Sequence, residues 1–173
     1  MPHEAEPLHR LLAEIGLRAG GPFGFALAGG HAIAAHGIID RPSEDVDLFA
    51  DWQRRADFPT AVDVVDLRLE TFAPNQQHRV ELVANWRAQP PVEMQIGPVL
   101  HPDDVMAGKM DALYNRAAAR DFIDIDAAIT RGRYTGEQLC ALASEADAGF
   151  DRRFFAQMLG MIWPGRDAVG LWA

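Results

Sequence analysis

The pattern of hydrophobic and polar positions predicts an α+β chain, with strands and helices in the first hundred residues and helices alone after them. Apolar residues recur at helical spacing over residues 8–17, and a Gly-Gly-Pro sequence at 20–22 ends this helix. We expect the helix to cover one side of a sheet. A short apolar strand at 23–28 and a short helix at 29–36 follow.

The middle of the chain changes from helical to strand-like periodicity. Residues 51–66 predict a helix that is broken at Pro59. Three strands are then predicted, the first because leucines alternate there with charged residues, and they lie at 66–72, 78–84 and 92–100. The sheet is therefore expected to be small and to end near residue 100.

The last third of the chain carries helical patterns only. A long helix is predicted at 103–119, with acidic residues correctly placed at its positive end. Helical structure continues over 123–148 with a break at 131–135, and an amphipathic helix covers 151–163. An irregular tail is expected at 164–173.

These elements predict a core at residues 1–100 and a helical region at 101–173 that packs on it. The length of 173 residues also fits a single domain. With 49% hydrophobic and 24% charged residues, the composition is that of an ordinary globular protein. No segment has the pattern of a signal peptide or the length of a membrane span, so we expect a cytoplasmic protein.

Charge and cysteine content exclude several classes of protein. The net charge of −9 argues against a protein that coats duplex DNA, because such binding rests on neutralising many phosphates. Cys140 is the single cysteine, so an internal disulfide cannot form. The sixteen basic residues comprise fifteen arginines and one lysine, Lys109.

The strongest local chemistry lies in residues 27–49, LAGGHAIAAHGIIDRPSEDVDLF. Gly29 and Gly30 lack a Cβ atom, so a phosphate can approach their backbone, and the N–H groups that open the following helix point at an anion. Asp45 and Asp47 share one face of a predicted strand, roughly 7 Å apart at their Cα atoms. Paired carboxylates of this kind suit Mg²⁺, which completes its shell with water and substrate phosphates.

The order of hydrophobic-Gly-Gly, a spacer and Asp-hydrophobic-Asp resembles the signature of the DNA polymerase beta-like nucleotidyltransferase superfamily. A second run, KMDALYNR at 109–116 followed by RDFID at 120–124, is similar to the downstream motif of the AbiEii/AbiGii abortive-infection toxin family. The two signals together span about residues 27–126. The resemblance implies a nucleotidyltransferase fold, in which helices flank a small mixed β-sheet and a helical region follows.

The resemblance also implies an activity. Members of the superfamily transfer a nucleoside monophosphate from an NTP to a hydroxyl group. For this family the resemblance implies that the hydroxyl belongs to an RNA such as tRNA. It also implies an antitoxin partner that inhibits the toxin. Two Mg²⁺ ions are implied, with Mn²⁺ as a substitute, and Asp45 and Asp47 would bind them with a third carboxylate. Glu81 is preferred as that third ligand, and Glu93 is the alternative.

Two residues near the glycines are assigned to the nucleotide by the same resemblance. Arg41 would supply charge for a phosphate and Ser43 a hydroxyl contact, although a serine before a strand is also ordinary turn chemistry. A solvated or capping role is the favoured interpretation of His31, but this residue opens the short helix and could therefore contact a triphosphate. The superfamily often has Gly-Ser where this chain has Gly29-Gly30, so the phosphate contact there is expected to come from backbone N–H groups.

Lys109, Arg116 and Arg120 lie within about 20° of one line if the helix at 103–119 continues. One interpretation is a cationic clamp for the triphosphate, with Lys109 as a catalytic residue. The other is pairing with Asp121 and Asp124 on a solvated face.

Two further functions stay open from the sequence. One is a transferase for a small-molecule or protein hydroxyl, and the other is an inactive nucleotide-binding module with the same fold. Trp52 and Trp86 follow the acidic strands and are candidates for base stacking, with a buried structural role as the alternative.

Overall fold

The computed structural model describes residues 7–39, 41–76 and 79–162. The chain forms two compact units, Met1–Val105 and Met106–Ala173. The predicted strand start at His78 and the predicted tail at 164–173 lie outside the described residues.

The first unit contains one mixed five-stranded sheet in its described part. Strand order is β3-β2-β1-β5-β4. Strand β2 runs parallel to β3 and antiparallel to β1, while β5 runs parallel to β1 and antiparallel to β4. The strands are β1 (Ala26–Leu27), β2 (Val46–Asp51), β3 (Val80–Asn85), β4 (Val92–Met94) and β5 (Gly97–Val99).

Helices pack on one face of this sheet and leave the other partly open. Burial alternates along β2, where Val46, Leu48 and Ala50 are buried and the residues between them are not. A Cβ atom added to Gly16 would overlap the Leu48 side chain and lie 3.9 Å from Val65, so two helices meet on this face of β2. The helices of this unit are α1 (Pro7–Gly20), α2 (Gly29–Ala35) and α3 (Phe58–Phe72), with a 3₁₀ segment at Trp52–Asp57 before α3.

Two strand predictions were wrong. Residues 66–72 continue helix α3, because Ala61, Val65 and Leu69 recur every four residues and are fully buried, whereas Leu67 is 63% exposed. The alternation of leucines with charged residues was too short to outweigh this helical spacing. The segment 92–100 is a hairpin and not one strand, since β4 and β5 pair around a two-residue turn.

The second unit is helical in its described part. Helix α4 (Pro102–Arg116) begins in the first unit and ends at Arg116, since Ala117 has a positive φ of 48°. The remaining helices are α5 (Ala119–Thr130), α6 (Gly136–Ala146) and α7 (Arg152–Ile162). The predicted break at 131–135 is confirmed, and a capping box of Thr135 and Gln138 starts α6.

The predicted α+β class, with a small mixed sheet flanked by helices and a helical C-terminal region, is confirmed. In the second unit, the fully buried Phe155 packs against the rings of Tyr114 and Phe150. None of the helices in the described ranges has the length and apolarity needed to cross a membrane.

Candidate functional site

Asp47 and Glu81 lie side by side on neighbouring parallel strands. The register of β2 and β3 pairs Asp47 with Glu81, so the two side chains project from the same face of the sheet. Glu81 is exposed and Asp47 is partly exposed. Glu93 lies instead on β4, the opposite edge strand, with β1 and β5 between it and β2. The topology therefore brings Glu81 to Asp47 and keeps Glu93 away.

The Asp47 carboxylate rests on the backbone of Gly29. A Cβ atom at Gly29 would overlap Asp47 Oδ2 and lie 2.5 Å from Cγ. Gly29 also has a φ of 59°, which favours glycine. Ala28, which precedes α2, gives the helix no side-chain cap. Gly29 is thus required both by its own backbone and by the carboxylate packed against it.

Asp45 is positioned differently from the prediction. Strand β2 begins at Val46, so Asp45 belongs to the bend before the strand, where its carbonyl accepts a 3.2 Å hydrogen bond from Ser43 Oγ. The described ranges contain no group of three His, Cys, Asp or Glu side chains that could hold a metal by itself.

The carboxylates present nevertheless have the chemistry that suits a hard divalent cation such as Mg²⁺. Mg²⁺ is usually bound through one or two carboxylates plus substrate phosphates and waters, and seldom by an all-protein cage. Asp47 and Glu81, with Asp45 one bend away, offer only hard oxygen ligands. The donor set suits a magnesium ion that is completed by a phosphate ligand.

The connector before β2 packs back against Gly30. A Cβ atom on Gly30 would lie 2.6 Å from Ser43 Oγ, 3.0 Å from Ser43 Cβ and 4.0 Å from an Arg41 guanidinium nitrogen. The Ser43 hydroxyl therefore occupies the space of a side chain at position 30. The hydroxyl that the sequence lacks at position 30 is thus supplied beside Gly30 by Ser43.

His31 lies next to this connector and is electrostatically constrained. Burial, the charge of His9 and the charge of Arg41, in that order, lower the pKa of His31 to about 4. Its ring stands edge-on to His9 at 5.3 Å, and its buried Nε2 atom has no hydrogen-bond partner among the described residues. Arg79 Nη1 lies 3.4 Å from His9 Nε2. His31 is therefore a neutral imidazole at pH 7.

Lys109, in the second unit, forms a buried ion pair. Its Nζ atom lies 2.9 Å from Asp124 Oδ2, and the exposed fractions of the two residues are 8% and 0%. The pair joins α4 to α5. Of the two interpretations of the basic residues, pairing with the acids is the one observed, but the pair is buried and does not lie on a solvated face.

Arg116 also binds an aspartate of α5, about two helical turns after Lys109. Its Nε and Nη2 atoms each donate a 2.9 Å hydrogen bond to the fully buried Asp121. Burial would raise the pKa of Asp121, but the hydrogen bond and charge of Arg116, helped by Lys109 and Arg120, lower it overall. The straight cationic stripe was wrong, because α4 ends at Arg116 and Arg120 lies on α5.

The burial of the two acidic residues in this downstream motif was not predicted from the sequence. Asp121 and Asp124 were treated as surface partners, yet both are fully buried on α5. The signal for burial was present, because Asp121, Asp124, Ile125 and Ala128 recur at helical spacing and form one face.

Comparison with known proteins yields one match. A family model described as "Nucleotidyl transferase AbiEii toxin, Type IV TA system" matches residues 65–161, more than half of the chain. The matched range includes Glu81 and the ion pairs of Lys109 and Arg116, and it begins after Asp47. No curated protein and no solved structure matches the chain.

Proposed function

Because the chain belongs to the AbiEii family of nucleotidyl transferase toxins of type IV toxin–antitoxin systems, we propose that it transfers a nucleoside monophosphate from an NTP to a hydroxyl group. In this reaction the acceptor oxygen forms a bond to the α-phosphorus, the bond between that phosphorus and the β-phosphate oxygen breaks, and pyrophosphate leaves. The acceptor proton passes to a carboxylate, for which Glu81 is our candidate.

The observation that carries this proposal is the placement of Asp47. It lies opposite Glu81 in register, and its carboxylate is packed on Gly29, next to Gly30. A nucleotide-transfer site needs metal-binding carboxylates and a phosphate-binding backbone segment, and our candidates for the two, Asp47 and Gly29, are in contact.

Side chains near Gly30 extend the phosphate half of the site. The Arg41 guanidinium brings positive charge, and the Ser43 hydroxyl can donate to a phosphate oxygen if it turns away from the Asp45 carbonyl. His31, neutral at pH 7, can contribute a hydrogen bond but no charge. We propose that these three side chains orient the triphosphate while the glycines contact it through the backbone.

Asp45, Asp47 and Glu81 would hold Mg²⁺, or Mn²⁺ in its place. A bound ion of this kind neutralises phosphate charge and acts as a Lewis acid on the transferred phosphoryl group. Much of the rate enhancement would then come from positioning and charge stabilisation, so a protein nucleophile is not needed.

We propose RNA, such as tRNA, as the acceptor, and an antitoxin as the cellular partner. The family description supports the toxin–antitoxin assignment. Lys109 supports the second unit through its buried pair with Asp124, and the half-exposed Arg116 supports it through its bond to the buried Asp121.

A labelled-nucleotide screen tests the proposal. The protein is incubated with each of the four α-labelled NTPs, total RNA and Mg²⁺, and the label in RNA is measured with and without a chelator. We expect metal-dependent labelling of an RNA species from one or more NTPs. Failure to label RNA, protein or small-molecule hydroxyls under any metal condition would overturn the proposed activity.

A further inference from the structure

Two exposed tryptophans end the two strands that carry Asp47 and Glu81. The register of β2 and β3 ends with the pair Asp51 and Asn85. The next residue after β2 is Trp52, and the next residue after β3 is Trp86. Their exposed fractions are 49% and 41%, so neither ring is a core residue. Since neighbouring strands lie about 4.8 Å apart, the two indoles start from adjacent points of the sheet edge.

The strand ends that present these rings are held rigidly by Asp51. Its Oδ1 atom accepts a 2.9 Å hydrogen bond from the Gln53 backbone, which caps the segment beginning with Trp52. Its Oδ2 atom lies 3.4 Å from Arg87 Nε, and Arg87 is the neighbour of Trp86. One carboxylate therefore ties both tryptophan-bearing segments together.

The loop after Trp86 is fixed on its other side as well. Asp104 accepts hydrogen bonds from the backbone N–H groups of Ala88 and Gln89 at 2.8 and 3.0 Å. Asn85 Oδ1 accepts a bond from the Trp86 backbone at 2.9 Å. Rings presented on such a fixed backbone lose little conformational entropy when a ligand stacks on them.

The segments that carry the tryptophans also contain arginines. The Arg55 guanidinium lies over the Trp52 ring at 5.2 Å, and Arg54 and Arg87 are both near Gly24. Together with Asp51, Asp57 and Asp104, these three arginines leave a region of zero net charge in a chain whose net charge is −9. Aromatic rings interleaved with arginine are the surface on which single-stranded nucleic acids stack their bases.

We propose that Trp52 and Trp86 form a stacking platform for the single-stranded end of an RNA acceptor. This inference rests on the proposed function, which it extends from the reacting atoms to the acceptor. Asp47, Phe49 and Asp51 share one face of β2, so the face runs from the carboxylates to the platform over about 16 Å from Asp47 to Trp52. At roughly 3.4 Å per stacked nucleotide, that length spans about five nucleotides, or fewer in an extended strand.

The balanced charge of the patch disfavours a duplex. Duplex binding draws its affinity from many phosphate contacts, which a patch without net positive charge cannot provide. Stacking needs unpaired bases, so the terminal hydroxyl of a frayed or single-stranded RNA end is the acceptor that the platform would direct toward Asp47 and Glu81.

RNA binding tests the platform directly. A labelled single-stranded RNA of about eight nucleotides is titrated with the protein in the absence of NTP, and binding is measured by fluorescence anisotropy. Trp52→Leu and Trp86→Leu should each weaken binding between about 5-fold and 150-fold, whereas Trp52→Phe should retain most of it. Phe72→Ala removes an aromatic ring of helix α3 that is even more exposed than the tryptophans, and it is the matched control, expected to leave binding unchanged.

The outcomes separate this inference from the proposed function. In the transfer assay, the leucine variants should raise KM for RNA and leave kcat nearly unchanged, because a remote stacking contact is made equally in ground and transition states. Tryptophan-dependent RNA binding in a protein without transferase activity would sustain the platform and refute only the chemistry. The platform would be overturned if wild type and leucine variants bound the RNA equally, or if the protein preferred the duplex form. It would also be overturned if the leucine variants lost binding to a protein partner but kept RNA binding.

Discussion

Asp47 on β2 and Glu81 on β3 are direct neighbours across two parallel strands, and the Asp47 carboxylate packs on Gly29. This relationship joins three segments that lie more than fifty residues apart at their extremes. It explains why the double glycine and the acidic strand occur together, since the carboxylate can occupy its position only where residue 29 lacks a side chain.

Replacing Gly29 with alanine should therefore damage both stability and activity. The new Cβ atom would overlap Asp47 Oδ2, and an alanine at a φ of 59° is strained. We expect a loss of about 2 kcal/mol or more in the free energy of unfolding, measured by urea denaturation, together with loss of nucleotide transfer.

Gly108→Ala is the matched control for this substitution. Gly108 lies in helix α4, and no atom outside its local helix backbone lies within 4 Å of the added Cβ position. Alanine should stabilise the protein there by about 0.5 to 1 kcal/mol. Equal effects of the two substitutions would contradict the role assigned to Gly29.

Asp124→Asn should destabilise the protein by about 3 kcal/mol. The substitution leaves the buried Lys109 ammonium without its charged partner, and uncompensated buried charges are costly. Urea denaturation measures the change. Glu145→Gln, at an exposed position of helix α6, should change the free energy of unfolding by no more than about 0.5 kcal/mol, and a similarly small effect at Asp124 would show that the ion pair is unimportant.

The bond between Arg116 and Asp121 should stabilise the protein only above acid pH. Because the pKa of Asp121 is lowered from its ordinary value of 3.8, its contribution is complete above about pH 3.8 and is lost as the pH falls through the folded-state value. The difference in unfolding free energy between wild type and Asp121→Asn should shrink on acidification. A difference that stays constant from pH 6 down to about pH 2 would argue against the lowered pKa.

His31 should make the protein less stable between about pH 6.5 and pH 4. The folded-state pKa of about 4 lies below the ordinary 6.5, so in this window the unfolded chain takes up a proton that the folded chain refuses. Above pH 6.5 both states are neutral and the contribution vanishes. His31→Gln should reduce the slope of unfolding free energy against pH by up to one proton, and identical slopes would show that His31 is not constrained in this way.

Local patterns were sufficient to predict much of the fold. The helix break at 131–135, the short helix after Gly29 and the acidic strand β2 follow from turn residues and periodicity within a few positions. The same method failed at residues 66–72, where leucines at alternating positions imitate a strand. These residues form a helix because every fourth residue of α3 is buried. That burial depends on packing against α1.

Long-range geometry could not be predicted from the sequence. The neighbour relation of Glu81 to Asp47 requires the strand order, which also places Glu93 on the far edge. The position of Ser43 beside Gly30 depends on the path of a connector with no periodic pattern. The positive φ at Ala117 ends helix α4, so Arg120 does not continue the predicted line of basic residues. No residue in this alanine-rich segment indicates such a backbone conformation.

Comparison of Glu81→Gln with Glu93→Gln in Mg²⁺-dependent nucleotide transfer tests the central claim most directly. Both substitutions remove one carboxylate from a strand of the same sheet, but only Glu81 lies beside Asp47. Removing a ligand's supporting group typically costs 10- to 100-fold, so loss of a direct ligand should lower kcat/KM by at least about 100-fold. The account predicts this loss for Glu81→Gln and near wild-type transfer for Glu93→Gln, and it is contradicted if Glu81→Gln retains activity while Glu93→Gln abolishes it.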